Sequence, residues 1–205
     1  MLGAITYQEM LNGISKNKVD EDTIGILITR PDLDTGKNIL GSLNHYHHLS
    51  GENINFYLPG YGAYWYGVYP DEQLVTKIDG VDRSFSDQAF VQFINDLEEQ
   101  SKWEYSGESE LLLLDYKNNR LSLDNILEFY LDNMLRDNVI DSISSFFQKL
   151  IRLCKGGKDI KKVSDSLGRD KLVQVTKDSL INIIPSYLGN VFTQERHFCV
   201  RNFKK

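Results

Sequence analysis

"IGILITRPDLDTGKN", Ile24 to Asn38, decides how the chain is read. The run Ile24–Arg30 is continuously apolar until Thr29 and is closed by Pro31, the pattern of a short buried strand. Asp34 or Thr35 then caps a helix that ends at Gly51. Its apolar stripe is Ile39, Leu40, Leu43, Tyr46 and Ser50, with His47 on the same side. "NINFYL" follows, alternating Ile54, Phe56 and Leu58 on one face, and predicts the next strand. Strand, helix and strand within about 35 residues is the size of a βαβ unit.

Upstream, Thr6 stands three residues before Glu9, a capping-box spacing that starts a helix from Tyr7 to Ser15. Downstream lies "FYLPGYGAYWYGVYP", Phe56 to Pro70, with five aromatic residues between Tyr61 and Tyr69. "AYWYGVY" and "LVTKI" flank "PDEQ" and predict a hairpin. On its first arm Tyr64, Tyr66 and Val68 face one way, and Trp65 and Tyr69 the other, with Trp65 buried. "PGYG" is placed like a binding loop at a strand end. Ser84 or Ser86 caps a helix with Phe90, Phe93, Ile94 and Leu97 inward. "KWEY" and "ELLLLDY" predict another hairpin whose second arm is central. Ser122 begins a helix carrying Ile126, Leu127, Tyr130, Leu131 and Met134, and "VIDSISSFFQKLIRLC" is a second helix that stops at Gly156-Gly157. Beyond it come a short helix ending at Gly168, then "DKLVQVTKDSLINII", read as helix or as strand then helix and ended by Pro185, and "VFTQERHFCVRNF" as an edge strand or docked tail.

The fold class expected is α/β: a mixed sheet with a parallel βαβ core and β-hairpin additions, then a mostly helical C-terminal segment. Residues 1–155 form an acidic domain and residues 156–205 a basic segment packed on that body or on a partner. The charges support the division. Up to Ile151 there are 11 Lys and Arg against 24 Asp and Glu; from Arg152 onward there are 12 against 5. The acidic body opposes nucleic-acid binding. No apolar run approaches the roughly 18–20 residues of a membrane span, and the N-terminus lacks the basic start and apolar middle of a signal peptide. Cys154 and Cys199 form no CxxC and fit buried thiols in a reducing cytoplasm.

Several chemistries are weighed and set aside. "PDLDTGKN" matches a phosphate loop only at Gly36 and Lys37; Pro31 and Asn38 replace the first glycine and the hydroxyl that binds magnesium. "HYHHLSG" sets His45 and His48 three residues apart without a nearby carboxylate other than Glu52, so no metal is assigned. There is no G-x-S-x-G. The remaining argument is geometric. If the strands at Ile24, Ile54 and Leu111 run parallel, their carboxyl ends share the edge where open α/β sheets bind ligands. Arg30 then holds an anion with help from Lys37, Gly60 lets backbone approach, Tyr61 stacks on a ring, and Asp115 is the acid/base group with Tyr116 beside it. The expectation is a small, anionic, ring-bearing ligand such as a nucleotide, bound and in the stronger form hydrolysed, with no cofactor named. The competing expectation is a non-catalytic interaction or regulatory subunit, using the basic C-terminal segment to engage a protein partner or a second copy.

Overall fold

The computed structural model describes residues 2–4, 6–16, 21–51, 54–117, 120–155 and 195–205. In chain order the elements are β1 (Leu2–Ala4), α1 (Tyr7–Lys16), β2 (Glu21–Ile28), α2 (Asp34–Gly41), α3 (Leu43–Ser50), β3 (Asn55–Pro59), β4 (Tyr61–Gly62), β5 (Gln73–Ile78), β6 (Val81–Phe85), α4 (Asp87–Gln100), β7 (Glu110–Lys117), β8 (Arg120–Tyr130), α5 (Leu131–Arg136), α6 (Ile143–Lys155) and β9 (Phe198–Arg201). Six strands form one sheet in the order β1-β3-β2-β7-β8-β9, and three form a small sheet in the order β4-β6-β5.

The large sheet is mixed. β1, β3 and β2 run parallel, as the βαβ reading of residues 24–58 requires. β7 pairs with β2 antiparallel, with Thr23 opposite Asp115 and Ile28 opposite Glu110. Leu111–Leu114 have no polar face, so the run suits a central position covered on both sides, and all four are buried. Phe56 and Phe129 reach the α6 side, where they meet Phe147 and Phe146 with ring centroids 5.7 and 5.2 Å apart. α4 closes beside α1, Tyr7 meeting Phe93 edge-on at 5.8 Å.

Two of the expected caps form: Thr6 Oγ1 accepts from Glu9 N, and Ser86 Oγ accepts from Ala89 N, each at 3.1 Å. Other elements differ from the expectation. The helix after Pro31 is two helices broken at Ser42, and Leu33 precedes the first without a side-chain cap, so neither Asp34 nor Thr35 is the N-cap. Its buried stripe of Ile39, Leu40, Leu43, Tyr46 and Ser50 is as read. "AYWYGVY" is no strand; residues 63–72 form a loop, and the hairpin is β5–β6. It turns at Asp79-Gly80, both with positive φ (50° and 78°), the Asp-Gly signature of a two-residue hairpin turn. "KWEY" is likewise outside any strand. β7's hairpin partner is β8, so the stretch from Ser122 to Tyr130 is strand, not helix. Its apolar residues satisfy both periods, and the backbone of β7 needs a partner along its second edge. β1 was not foreseen.

Of the expected C-terminal segment, residues 195–205 contribute β9, an edge strand of the main sheet, and residues 156–194 lie outside the described residues. The entry to β9 is pinned by Asp137, which takes Arg196 through both carboxylate oxygens and lies 2.8 Å from His197 Nε2.

Gly60 is the tightest turn between the two sheets. Its φ is +76°, and a Cβ there would come within 2.6 Å of Phe90 Cβ. Gly80 has the similar φ of +78° but open space around it. Gly80→Ala is expected to cost only the left-handed strain of roughly 1–2 kcal/mol. Gly60→Ala should cost more, because α4 must also shift. Urea unfolding of both variants checks the order; equal losses contradict the packing described.

Candidate functional site

Three places concentrate polar or exposed aromatic groups. The first is the carboxyl end of β2, where Arg30, Lys37, Gly60 and Tyr61 gather. Arg30 is already committed: Nε lies 3.2 Å from Asp32 and Nη2 2.9 Å from Asp87, and its guanidinium sits 5.7 Å above the Phe90 ring. Tyr61 is buried, donates to Thr29 O at 3.2 Å, and packs on Phe85, so its ring faces protein. Burial pushes its hydroxyl pKa up. Gly60 is filled by α4, and Lys37 pairs with Asp34 at 2.9 Å on the surface. Asp115 and Tyr116 are not at this end. Because β7 runs against β2, they lie beside Thr23 and Asp22, at the far end of the sheet from Arg30. Asp115 there is within 3.5 Å of Thr23 Oγ1. The shared edge expected for Arg30, Tyr61 and Asp115 therefore does not exist, and neither does an Arg30–Asp115 ion pair.

The second place is the loop between β4 and β5. It reverses the reading of "PGYGAYWYGVY". The Gly60–Gly62 part is buried structure, and the Tyr64–Tyr69 part is the exposed loop. Tyr64 and Tyr66 hold positive φ (60° and 49°), which bulky side chains rarely adopt. The loop is held by its own bonds. Glu72 accepts from Gly67 N at 3.0 Å and from Ser84 Oγ at 2.7 Å, and Asp71 accepts from Ser86 Oγ at 2.7 Å and Gln88 N at 2.8 Å. Those bonds from Gln88 and Ser86 hold the Asp71 carboxyl below its usual pKa range. Trp65 is 5% exposed, as expected, wedged against Gly62 and Tyr69. Tyr66 is 86% exposed, and Tyr64, Val68 and Leu74 are also open. Tyr64, Trp65, Tyr66 and Tyr69, with Leu74, Glu72, Asp82 and Ser84, line a cavity of about 800 Å³.

The third place was not legible as a site. Glu110 opens β7 and Glu128 lies on β8, 1% and 2% exposed. Trp103 Nε1 donates to both, at 3.2 Å to Glu110 and 3.0 Å to Glu128. Glu128 also accepts from Tyr130 Oη at 2.8 Å and Cys199 Sγ at 3.0 Å, and Arg201 Nε is 3.9 Å away. Glu110 receives Ser106 N at 3.1 Å. A cavity of about 240 Å³ opens beside the cluster between Lys102, Trp103 and Arg201. Burial, opposed by the bonds from Ser106 and reinforced by the charge of Glu128, raises the Glu110 pKa to about 7. Burial likewise pushes the Cys199 thiol up to about 12, so it is a poor nucleophile. The sequence signal was slight: an acid leading an all-leucine strand, and another set between Leu127 and Phe129.

The histidines converge differently from the spacing argument. His48 Nε2 and His47 Nε2 approach Asp79 at 2.8 and 3.6 Å. Among the described residues no group of three or more His, Cys, Asp or Glu is placed to hold a metal ion, and no helix is long and apolar enough to cross a membrane. Comparison with family models, with curated proteins and with solved structures finds no match to this chain.

The Glu110 proton has a thermodynamic consequence. Its pKa rises from 4.5 in the unfolded chain to about 7 in the fold. The folded state therefore binds a proton that the unfolded state releases between those values. Stability from this group is present below pH 4.5 and is lost as pH rises to about 7. Glu110→Gln cannot titrate. Relative to wild type it should gain on the order of 3 kcal/mol between acid and pH 8. Urea midpoints of both proteins across that range measure the difference; a constant offset contradicts it.

Proposed function

We propose that this chain is a recognition module whose aromatic loop, residues 63–72, together with the start of β5 binds a partner polypeptide that presents a basic side chain among apolar ones. One observation carries the reading. Among the described residues, four of the five large apolar side chains left exposed are Tyr64, Tyr66, Val68 and Leu74, all on this loop or the strand it enters. Concentrated exposed apolar surface marks interaction sites. Two non-glycine residues held at positive φ, on a loop braced by Glu72 and Asp71, support a surface kept in one shape for binding.

The lining supports a basic partner. Glu72 and Asp82 stand in the cavity wall, and its described lining residues include no Lys or Arg. Tyrosine faces attract cations, by about 0.5–2 kcal/mol per contact. The nucleotide-like ligand expected from the sequence loses its ring and anion partners in this reading, because Tyr61 packs against protein and Arg30 is engaged elsewhere. The interaction-subunit alternative is thus preferred, with its surface moved from the basic C-terminal segment to the aromatic loop. A reducing, cytoplasmic setting belongs to the same reading and is supported by Cys199, a buried free thiol.

The test is calorimetric titration of the full chain with a synthetic peptide of alternating Arg and Leu, and separately with AMP. The peptide should bind saturably and AMP should not. Tyr64→Asn with Tyr66→Asn, chosen because asparagine tolerates positive φ, should weaken the peptide at least about tenfold, the loss of roughly 1.4 kcal/mol. Saturable AMP binding with no peptide binding would sink the proposal and restore the anionic ligand.

A further inference from the structure

The carboxyl pair beneath β9 is an unusual thing to bury. Two acids from adjacent strands share a single indole N–H. Two ionised carboxylates in one dry site repel strongly, so such a pair keeps one proton. The surroundings say which member keeps it. Glu128 gathers the donors Trp103, Tyr130 and Cys199 and faces Arg201, an arrangement suited to negative charge. Glu110 has the backbone N–H of Ser106 and half of the Trp103 bond. The titratable and charged groups around the pair are Tyr130 from β8, Cys199 and Arg201 from β9, which meet Glu128, and Lys102, Glu104 and Tyr105 from the segment after α4.

What covers the pair is an edge of the sheet. Among the described residues β9 has four residues, ends the strand order and pairs with β8. The 102–106 segment is irregular and is tied to the chain end through Lys102 N to Phe203 O at 2.7 Å. The two covers therefore share a hydrogen bond, and both owe a contact to the acids: Cys199 to Glu128, and Trp103 and Ser106 to Glu110. Admitting water at this edge is the least disruptive way to solvate a second charge, since every other neighbour belongs to a central strand.

We propose that the Glu110–Glu128 pair is a proton-dependent latch on the C-terminal strand. With one proton on the pair, β9 and residues 102–106 stay closed over it; loss of that proton loosens both. The Glu110 pKa of about 7 places the change near neutral pH. Nothing in this latch depends on the aromatic loop.

Cys199 reports on the latch because it belongs to β9 and its thiol is held against Glu128. The full chain and Glu110→Gln are treated with N-ethylmaleimide at about pH 6 and about pH 8.5, either side of that pKa. Peptide-resolved mass spectrometry separates Cys199 from Cys154. Comparing the two proteins at one pH cancels the thiol's own rise in reactivity. At the lower pH both should label equally slowly. At the higher pH wild type should label on the order of tenfold faster than the variant, whose glutamine keeps the pair singly charged. Equal rates at the higher pH overturn the proposal, as does faster labelling of the variant. Should Glu110→Gln fail to fold, Trp103 emission in a Trp65→Phe background replaces it. A reversible red shift between the two pH values with unchanged far-ultraviolet dichroism supports the latch, and a constant emission overturns it.

Discussion

The antiparallel pairing of β7 with β2 is the constraint on which the remaining geometry depends. Leu111–Leu114 bury every side chain, so β7 has to sit inside the sheet with strands on both edges. Its direction then assigns each end of the strand. Glu110 comes beside Ile28 and, through β8, beside Tyr130; Asp115 comes beside Thr23. Had β7 run parallel to β2, Asp115 would stand near Arg30 and a polar site across three strand ends would follow. Run the other way, it brings Glu110 next to Glu128 instead and leaves Arg30 to pair with Asp32 and Asp87.

The same pairing explains the division between a buried interior and an exposed rim. The central strands β2 and β7 are paired along both edges, and Leu111–Leu114 are buried. The small sheet and the 63–72 loop stand outside that frame, attached at Gly60, through Tyr61 to Thr29, and through Asp71 to the start of α4. The loop owes its shape to a few polar bonds around Glu72 rather than to a core of its own. That suits a recognition surface, where apolar groups stay exposed because structure elsewhere fixes the backbone beneath them.

Much of the fold was legible because local signals and tertiary demands agreed. The apolar run Ile24–Ile28, the stripe from Ile39 to Ser50, the Thr6–Glu9 and Ser86 caps and the edge strand at Phe198 all follow from periodicity and capping chemistry. Strand direction did not, since residues 110–117 read the same in either orientation. Ile126 to Tyr130 fit two periods at once, and only the pairing needs of β7 choose between them. Tyr64 to Val68 imitate a strand by alternation, while positive φ at Tyr64 and Tyr66 excludes one. The hairpin turn lies at Asp79-Gly80, whereas the sequence reading places it at "PDEQ", Pro70–Gln73. The carboxyl pair escaped because its members come together only through sheet register, and Cys199 joins them from 71 residues beyond Glu128.

Interstrand backbone NOEs in an isotope-labelled sample test the β2–β7 pairing most directly. The arrangement described predicts contacts between Thr23 and Asp115 and between Leu27 and Leu111, which are facing Cα partners. A contact set in which Asp115 instead approaches Thr29 or Arg30, with Leu111 near Ile24, would contradict it.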